Sequence, residues 1–226
     1  MAENDYRRIR VLWPDHLNLA RGKYLPTHLA DRGTRHSLTV FALGYDRDMG
    51  PVPGTGFLEG MPDMECHFNM SDVRPSWEED IGVVIGNLER HGTPIEFAPR
   101  KVLQNAVEAW EAHGFTPKVG IEFEAYLMQP DDNGNWVPYN APGSFVYGTG
   151  PLNDPMGVAM AIDEKADQLG FRIESFNTEF DVGQFEMTLE YDDAMACADE
   201  AFLFRSLSLI HISEPTRLLS IADGVF

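Results

Sequence analysis

GIEFEAYLM, residues 120–128, sets two glutamates one residue apart inside an otherwise apolar run. In a β-strand successive side chains point to opposite faces, so Glu122 and Glu124 share a face. Two carboxylates roughly 7 Å apart on one face repel, and something must offset that repulsion. IESFNTEFDVGQFEM, residues 173–187, supplies Glu174, Glu179 and Glu186, with a turn at Gly183. A strand from residue 184 puts Gln184, Glu186 and Thr188 on one face and Phe185, Met187 and Leu189 on the other. Two such strands can line a cation site, because Mg²⁺ and Mn²⁺ prefer carboxylate and water oxygens. The plainer alternative places every glutamate on the solvated face of an antiparallel sheet.

Outward from these strands the pattern is α+β. APRKVLQNAVEAWEAHGF (98–115) carries apolar residues at helical spacing, with Gly114 at its end. KVGIEFEAYLMQPDDNGNWVPY (118–139) reads as strand, turn and return strand. LNDPMGVAMAIDEKADQLGF (152–171) is a second helix, with Asn153 or Asp154 as cap, Pro155 in the first turn and Gly170 at the end. Two strands around Gly183 follow, and DDAMACADEAFLF (192–204) starts a third helix. Before residue 98 the chain is strand-rich: RIRVLWPD (8–15), LTVFALGYD (38–46) and DIGVVIGNLE (80–89) read as strands, and RGKYLP (21–26) as a hairpin partner or ordered loop. The Gly-, Pro- and Asp-rich stretch 50–77 reads as long loops. Domains are therefore expected at 1–97 and 98–206.

The formal net charge of -19 argues against nucleic acid and anionic membranes as partners. A cation, or a phosphate bridged by cations, fits better; acidity also confers solubility. Cys66 and Cys197 have neither disulfide-framework nor zinc spacing. The start has no apolar signal core and no run approaches a membrane span, so a cytoplasmic location is expected. LSLIHISEPTR (207–217) is read as interrupting the third helix, and it matches, residue for residue, the translation of a transposase sequencing adapter. Residues 207–226 are read as that artefact, and His211 is not a ligand candidate.

GIEFEAYLM together with IESFNTEFDVGQFEM resembles the glutamine synthetase superfamily, with its G-x-E-x-E strand and later E-x-x-x-x-E-x-x-x-G-Q-x-E. VLWPDHLNLARGKYLP (11–26) resembles the segment D-x-x-G-x-x-R-G-K-x-x-P of the family's N-terminal β-grasp domain, and APRKVL the junction before its catalytic domain. The resemblance runs from about residue 8 to 206. It implies a β-grasp-like domain followed by the first part of a catalytic domain, an antiparallel sheet with flanking helices. It implies ATP-dependent ligation of ammonia or an amine to the glutamate γ-carboxylate through a γ-glutamyl phosphate, with two Mg²⁺ or Mn²⁺ ions. By resemblance Glu124, Glu179 and Glu186 hold one ion, Glu122 belongs to a second, and Glu174 contacts ATP. Asp15 matches the aspartate at the amine site, and Tyr147 a substrate-site tyrosine. A homo-oligomeric ring with sites between subunits is implied as well.

Departures bear on the substrate. Asn177 and Thr178 stand where ammonia-using members usually carry histidines, and Asn18 replaces the usual glycine of the first motif. A γ-glutamyl-polyamine ligase is thus an alternative to glutamine synthetase proper, and a non-catalytic sensor of the same family is another. The family's later histidine, arginine and glutamate site residues have no counterpart before residue 206, so this chain by itself is expected to be inactive.

Overall fold

The computed structural model describes residues 6–43, 60, 62–139, 145–212 and 220–223, with side chains described up to residue 206. The chain folds into two compact units, Met1–Phe115 and Thr116–Phe226. The architecture is mixed α+β with several small sheets.

In the first unit, strand β1 (Arg8–Pro14) buries Ile9, Val11 and Trp13, the alternate residues of one face. It pairs antiparallel with β2 (Ala20–Pro26), so RGKYLP is its hairpin partner. Strands β3 (Thr34–Ser37), β4 (Asp63–His67) and β5 (Arg74–Pro75) follow, then β6 (Ile81–Ile85), β7 (Asn87–Arg90) and β8 (Thr93–Pro94). One sheet runs β2-β1-β6-β5, with β1 and β6 parallel; the other runs β3-β4-β7-β8. Helix α1 (Pro99–Glu111) closes the unit's sequence.

Three expectations fail here. DIGVVIGNLE (80–89), read as one strand, is two, β6 and β7, which break at Gly86 and belong to different sheets. Leu38–Ala42 is a 3₁₀ turn rather than a strand, because the Ser37 hydroxyl accepts from Thr39 N and curls the chain; residues 44–46 of that stretch lie outside the described residues. The stretch read as loops contains β4, whose Met64 and Cys66 are fully buried between exposed Asp63 and His67.

The second unit follows the expected order: β9 (Lys118–Pro130), β10 (Trp136–Pro138), α2 (Val158–Gln168), β11 (Ile173–Thr178), β12 (Gln184–Asp193) and α3 (Ala194–Ile212). The sheet runs β10-β9-β12-β11, and β13 (Ser220–Asp223) pairs with β9 over Ala125–Met128. Phe185, Met187 and Leu189 are buried on one face of β12, as the alternation requires. Phe204 of α3 packs against Phe123 and Phe171, joining the helix to the sheet. Pro155 lies ahead of α2 rather than in its first turn, because the left-handed Gly157 delays the helix start. The backbone of α3 continues to Ile212, so LSLIHISEPTR does not interrupt the helix where it begins.

Candidate functional site

Register builds the glutamate face. On β9 and β12, Glu124 lies directly opposite Glu186, and Glu122 opposite Thr188. Asn177 of β11 lies opposite Glu186 on its other side. Three neighbouring strands therefore carry Glu124, Glu186 and Asn177 in one row. Glu122 and Glu124 share this face, as the spacing required, and both are exposed.

Gly183 fixes the register. Its φ is +81°, and a Cβ there would come within 2.9 Å of the Leu127 carbonyl oxygen and 3.0 Å of Tyr139 N. Only glycine allows β12 to start so close to β9. Its own carbonyl accepts from Leu127 N at 2.8 Å.

Each carboxylate of the row has a neutral donor. Gln184 Nε2 donates to Glu124 at 2.6 Å. Asn177 Nδ2 donates to Glu179 at 3.1 Å, and the Thr188 hydroxyl donates to Glu186 at 2.9 Å. Gln184 is itself oriented, because its amide oxygen accepts from Asp181 N. Glu179 is 8% exposed. Its proton affinity is raised, first by burial and then by a hydrogen bond with Glu186, with the Glu124 charge adding to it. A carboxyl in that condition gains either from a proton or from a cation. The atoms that Glu124, Glu179 and Glu186 could offer a metal are all carboxylate oxygens, which fits a hard divalent ion. Among the described residues no three His, Cys, Asp or Glu side chains converge closely enough to hold an ion in this conformation. Sequence spacing pointed to Gln184 and Thr188 as face-sharing residues; Thr188 and Asn177 donate to carboxylates two residues away, whereas the donor role of Gln184 emerges only from the cross-strand register.

Glu174 is exposed beside a register shift between Ile173 and Ser175, outside the row. Tyr147 is 75% exposed and has a φ of +60°, a costly conformation for a bulky residue. Its backbone N donates to the Thr178 carbonyl at 2.8 Å, next in sequence to Glu179. The fold thus anchors Tyr147 at the C-terminal end of β11, one residue before Glu179.

Asp15 belongs to the first unit. It is 2% exposed. Its Oδ1 accepts from Leu17 N and Leu19 N, each at 2.9 Å, and its Oδ2 from Arg21 Nε at 2.6 Å. Here the carboxylate organises the β1–β2 turn. Asn18 adopts φ +59° in that turn, a left-handed conformation that Asn tolerates nearly as readily as Gly. This explains how Asn can stand there.

A family model described as glutamine synthetase, catalytic domain, matches residues 96–210. The chain is 30% identical over 219 residues to gamma-glutamylputrescine synthetase PuuA of Escherichia coli, covering 89% of this chain and 46% of that protein. It is 26% identical over 210 residues to glutamine synthetase of Methanosarcina mazei, covering 91% of this chain and 45% of that protein. A solved structure titled apo GmaS without ligand superposes with a TM-score of 0.76 at 22% identity, over 97% of this chain and 50% of that one. The chain spans about half the length of the curated relatives it matches. Among the described residues no helix is long and apolar enough to cross a membrane.

Proposed function

Because the chain belongs to the glutamine synthetase family, we propose that its function is ATP-dependent ligation of ammonia or another amine to the γ-carboxylate of glutamate. The observation that carries this reading is the row of amide- and hydroxyl-held carboxylates on β9 and β12, with Glu179 beside it. Glu124, Glu179 and Glu186 are assigned to one Mg²⁺ or Mn²⁺, and Glu122 to a second. Bound there, the ions would supply neutralisation of charge on phosphate and carboxylate during phosphoryl transfer. The residues' own part is to hold the oxygens in place: Gln184, Asn177 and Thr188 fix three carboxylates by hydrogen bonds, as partners of metal ligands do. The raised proton affinity of Glu179 makes protons compete with the cation.

Glu174 is assigned to ATP and the exposed Tyr147 to the substrate side. Asp15 is assigned to the amine: its carboxylate, aimed by two backbone N–H groups and Arg21, would hold the ammonium form and accept its proton. The first unit is read as the family's β-grasp-like domain, and the full-length enzyme as a homo-oligomeric ring acting in the cytoplasm. Asn177 and Thr178 beside Glu179, and the similarity to gamma-glutamylputrescine synthetase, favour an amine larger than ammonia as a second reading.

Mn²⁺ titration of the chain, followed by the loss of the free-ion electron paramagnetic resonance signal, tests the site. We expect binding that Glu124→Ala and Glu186→Ala each abolish. Absent binding, or binding indifferent to both substitutions, overturns the assignment. With ATP, glutamate and a panel of primary amines, this half-length chain is expected to release no phosphate above background; clear turnover would show that it suffices alone.

A further inference from the structure

Tyr147 holds a backbone conformation that its own packing does not offset. Its φ of +60° lies in the left-handed region, which glycine enters at little cost and a bulky residue does not. The side chain is 75% exposed, and among the described residues its phenol has no hydrogen-bond partner and its ring no aromatic neighbour. Strain of this kind persists only where the surroundings over-determine the backbone, and such residues cluster at binding and active sites. What over-determines it here is one residue, Thr178.

Thr178, the last residue of β11, engages the 145–148 turn in three ways. Its carbonyl accepts from Tyr147 N at 2.8 Å, its N–H donates to the Gly148 carbonyl at 3.1 Å, and its hydroxyl donates to the Phe145 carbonyl at 2.6 Å. An isolated antiparallel bridge joins Gly148 to Thr178, and Gly148 N closes the turn on the same Phe145 carbonyl at 3.0 Å. The approach is tight: a Cβ on buried Gly148 would overlap the Thr178 hydroxyl and the Asn153 side-chain oxygen. Asn153, 7% exposed, is fixed in turn, because its Nδ2 donates to the Thr149 carbonyl at 2.7 Å. The two backbone bonds are open to any residue but proline at 178; the third needs a short side-chain donor.

Residue 178 is joined covalently to Glu179 and by hydrogen bonds to the turn that carries Tyr147, all within the second unit. We infer that Thr178 is a positioning residue: it fixes where the Tyr147 phenol stands relative to the Glu179 carboxylate, and so is a determinant of which substrate the site admits. This rests on the assignment of Tyr147 to the substrate side and of Glu179 to the cation. A turn that served stability alone would gain nothing from an exposed ring on a strained backbone.

Hydrogen exchange of backbone N–H groups in the ¹⁵N-labelled 226-residue chain tests the clamp without substrate or metal. Thr178→Val replaces the hydroxyl by a methyl of similar shape, and Thr178→Ser restores a hydroxyl. We expect Thr178→Val to speed exchange at Tyr147 and Gly148 by about tenfold, as loss of one hydrogen bond does, and Thr178→Ser to return it toward the parent rate. Leu127 N, bonded to the Gly183 carbonyl at 2.8 Å in the same unit, is the control and should not change. Paramagnetic broadening by Mn²⁺ is the second readout, which a merely structural role would not move. In chain labelled with fluorotyrosine, Tyr147→Phe identifies the Tyr147 signal. Compared at equal bound Mn²⁺, that signal should broaden in the parent, lose part of the broadening in Thr178→Val and regain it in Thr178→Ser. Unchanged exchange in Thr178→Val, or acceleration shared equally by Leu127, overturns the proposal. So does a Tyr147 signal that bound Mn²⁺ leaves sharp or broadens equally in all three chains. If no Mn²⁺ binds, the ion assignment fails, and the exchange rates alone decide for or against the clamp.

Discussion

At the scale of single residues, the glutamate face carries a cost in stability that the proposed cation would relieve. Glu124 and Glu186 are like charges in directly opposed positions, an arrangement that costs about 0.2–1 kcal/mol. Glu179 carries a raised proton affinity, caused first by burial and next by Glu186. The sign follows from linkage. Below about pH 4.3, the ordinary glutamate value, Glu179 is protonated in both folded and unfolded chains and its contribution is fully favourable. As pH rises through the raised folded value, that contribution is lost. Glu186→Gln removes one charge from the opposed pair and one of the causes acting on Glu179. Without divalent ions at about pH 7.5 it should therefore raise the unfolding free energy by about 0.2–1 kcal/mol and flatten the decline that sets in as pH rises above about 4.3. Urea unfolding across that range measures both effects; a destabilised variant with unchanged pH dependence would mean that the pair carries no strain.

Elements show what the sequence makes legible and what it hides. Helix α2 is a case of good legibility. Asp154 accepts from Val158 N at 2.8 Å, Ala159 N at 2.9 Å and Met160 N at 3.3 Å, capping the helix from outside a left-handed Gly157. Asp154→Ala leaves three first-turn N–H groups without that acceptor. It should cost about 1–2 kcal/mol, read as a lower thermal midpoint of the second unit, while Asp154→Asn retains much of the cap. An alanine variant of unchanged midpoint would assign the helix start to packing alone. Strands β9 and β12 were legible for a similar reason: period-two alternation survives in the sequence. Strand β4 has the same alternation at Met64 and Cys66, but it is short and flanked by glycine and proline, so composition masked it. Leu38–Ala42 failed in the opposite way. Its Val and Phe suggest a strand, and one serine hydroxyl overrides them. The site divides along the same line. That Glu122 and Glu124 share a face follows from spacing. That Gln184 holds Glu124 depends on the register that Gly183 sets, which is a contact between segments distant in sequence.

For the whole molecule, the governing number is the net charge of -19. A compact state with so much charge of one sign is destabilised by self-repulsion, and salt relieves it. Salt also weakens ion pairs. Those formed here include the pair between Arg21 and the fully buried Asp15, and the set that Arg172 makes with Glu190, Asp192 and Glu200. The balance can be judged from their number and setting. Arg172 is 44% exposed, and pairs in that setting contribute little. The Asp15 pair is shielded from solvent on the acid side and so is screened weakly. Repulsion therefore dominates. The thermal midpoint should rise as NaCl goes from about 0.01 M to about 0.15 M, over which the screening length contracts from about 30 Å to about 8 Å. MgCl₂ at equal ionic strength should raise it further, because a divalent ion at the glutamate face adds binding free energy to screening. In Glu124→Ala the two salts should give coincident curves. A midpoint that falls with NaCl would show that ion pairs outweigh repulsion. Equal effects of NaCl and MgCl₂ on the parent chain would show that its acidity acts only as diffuse charge.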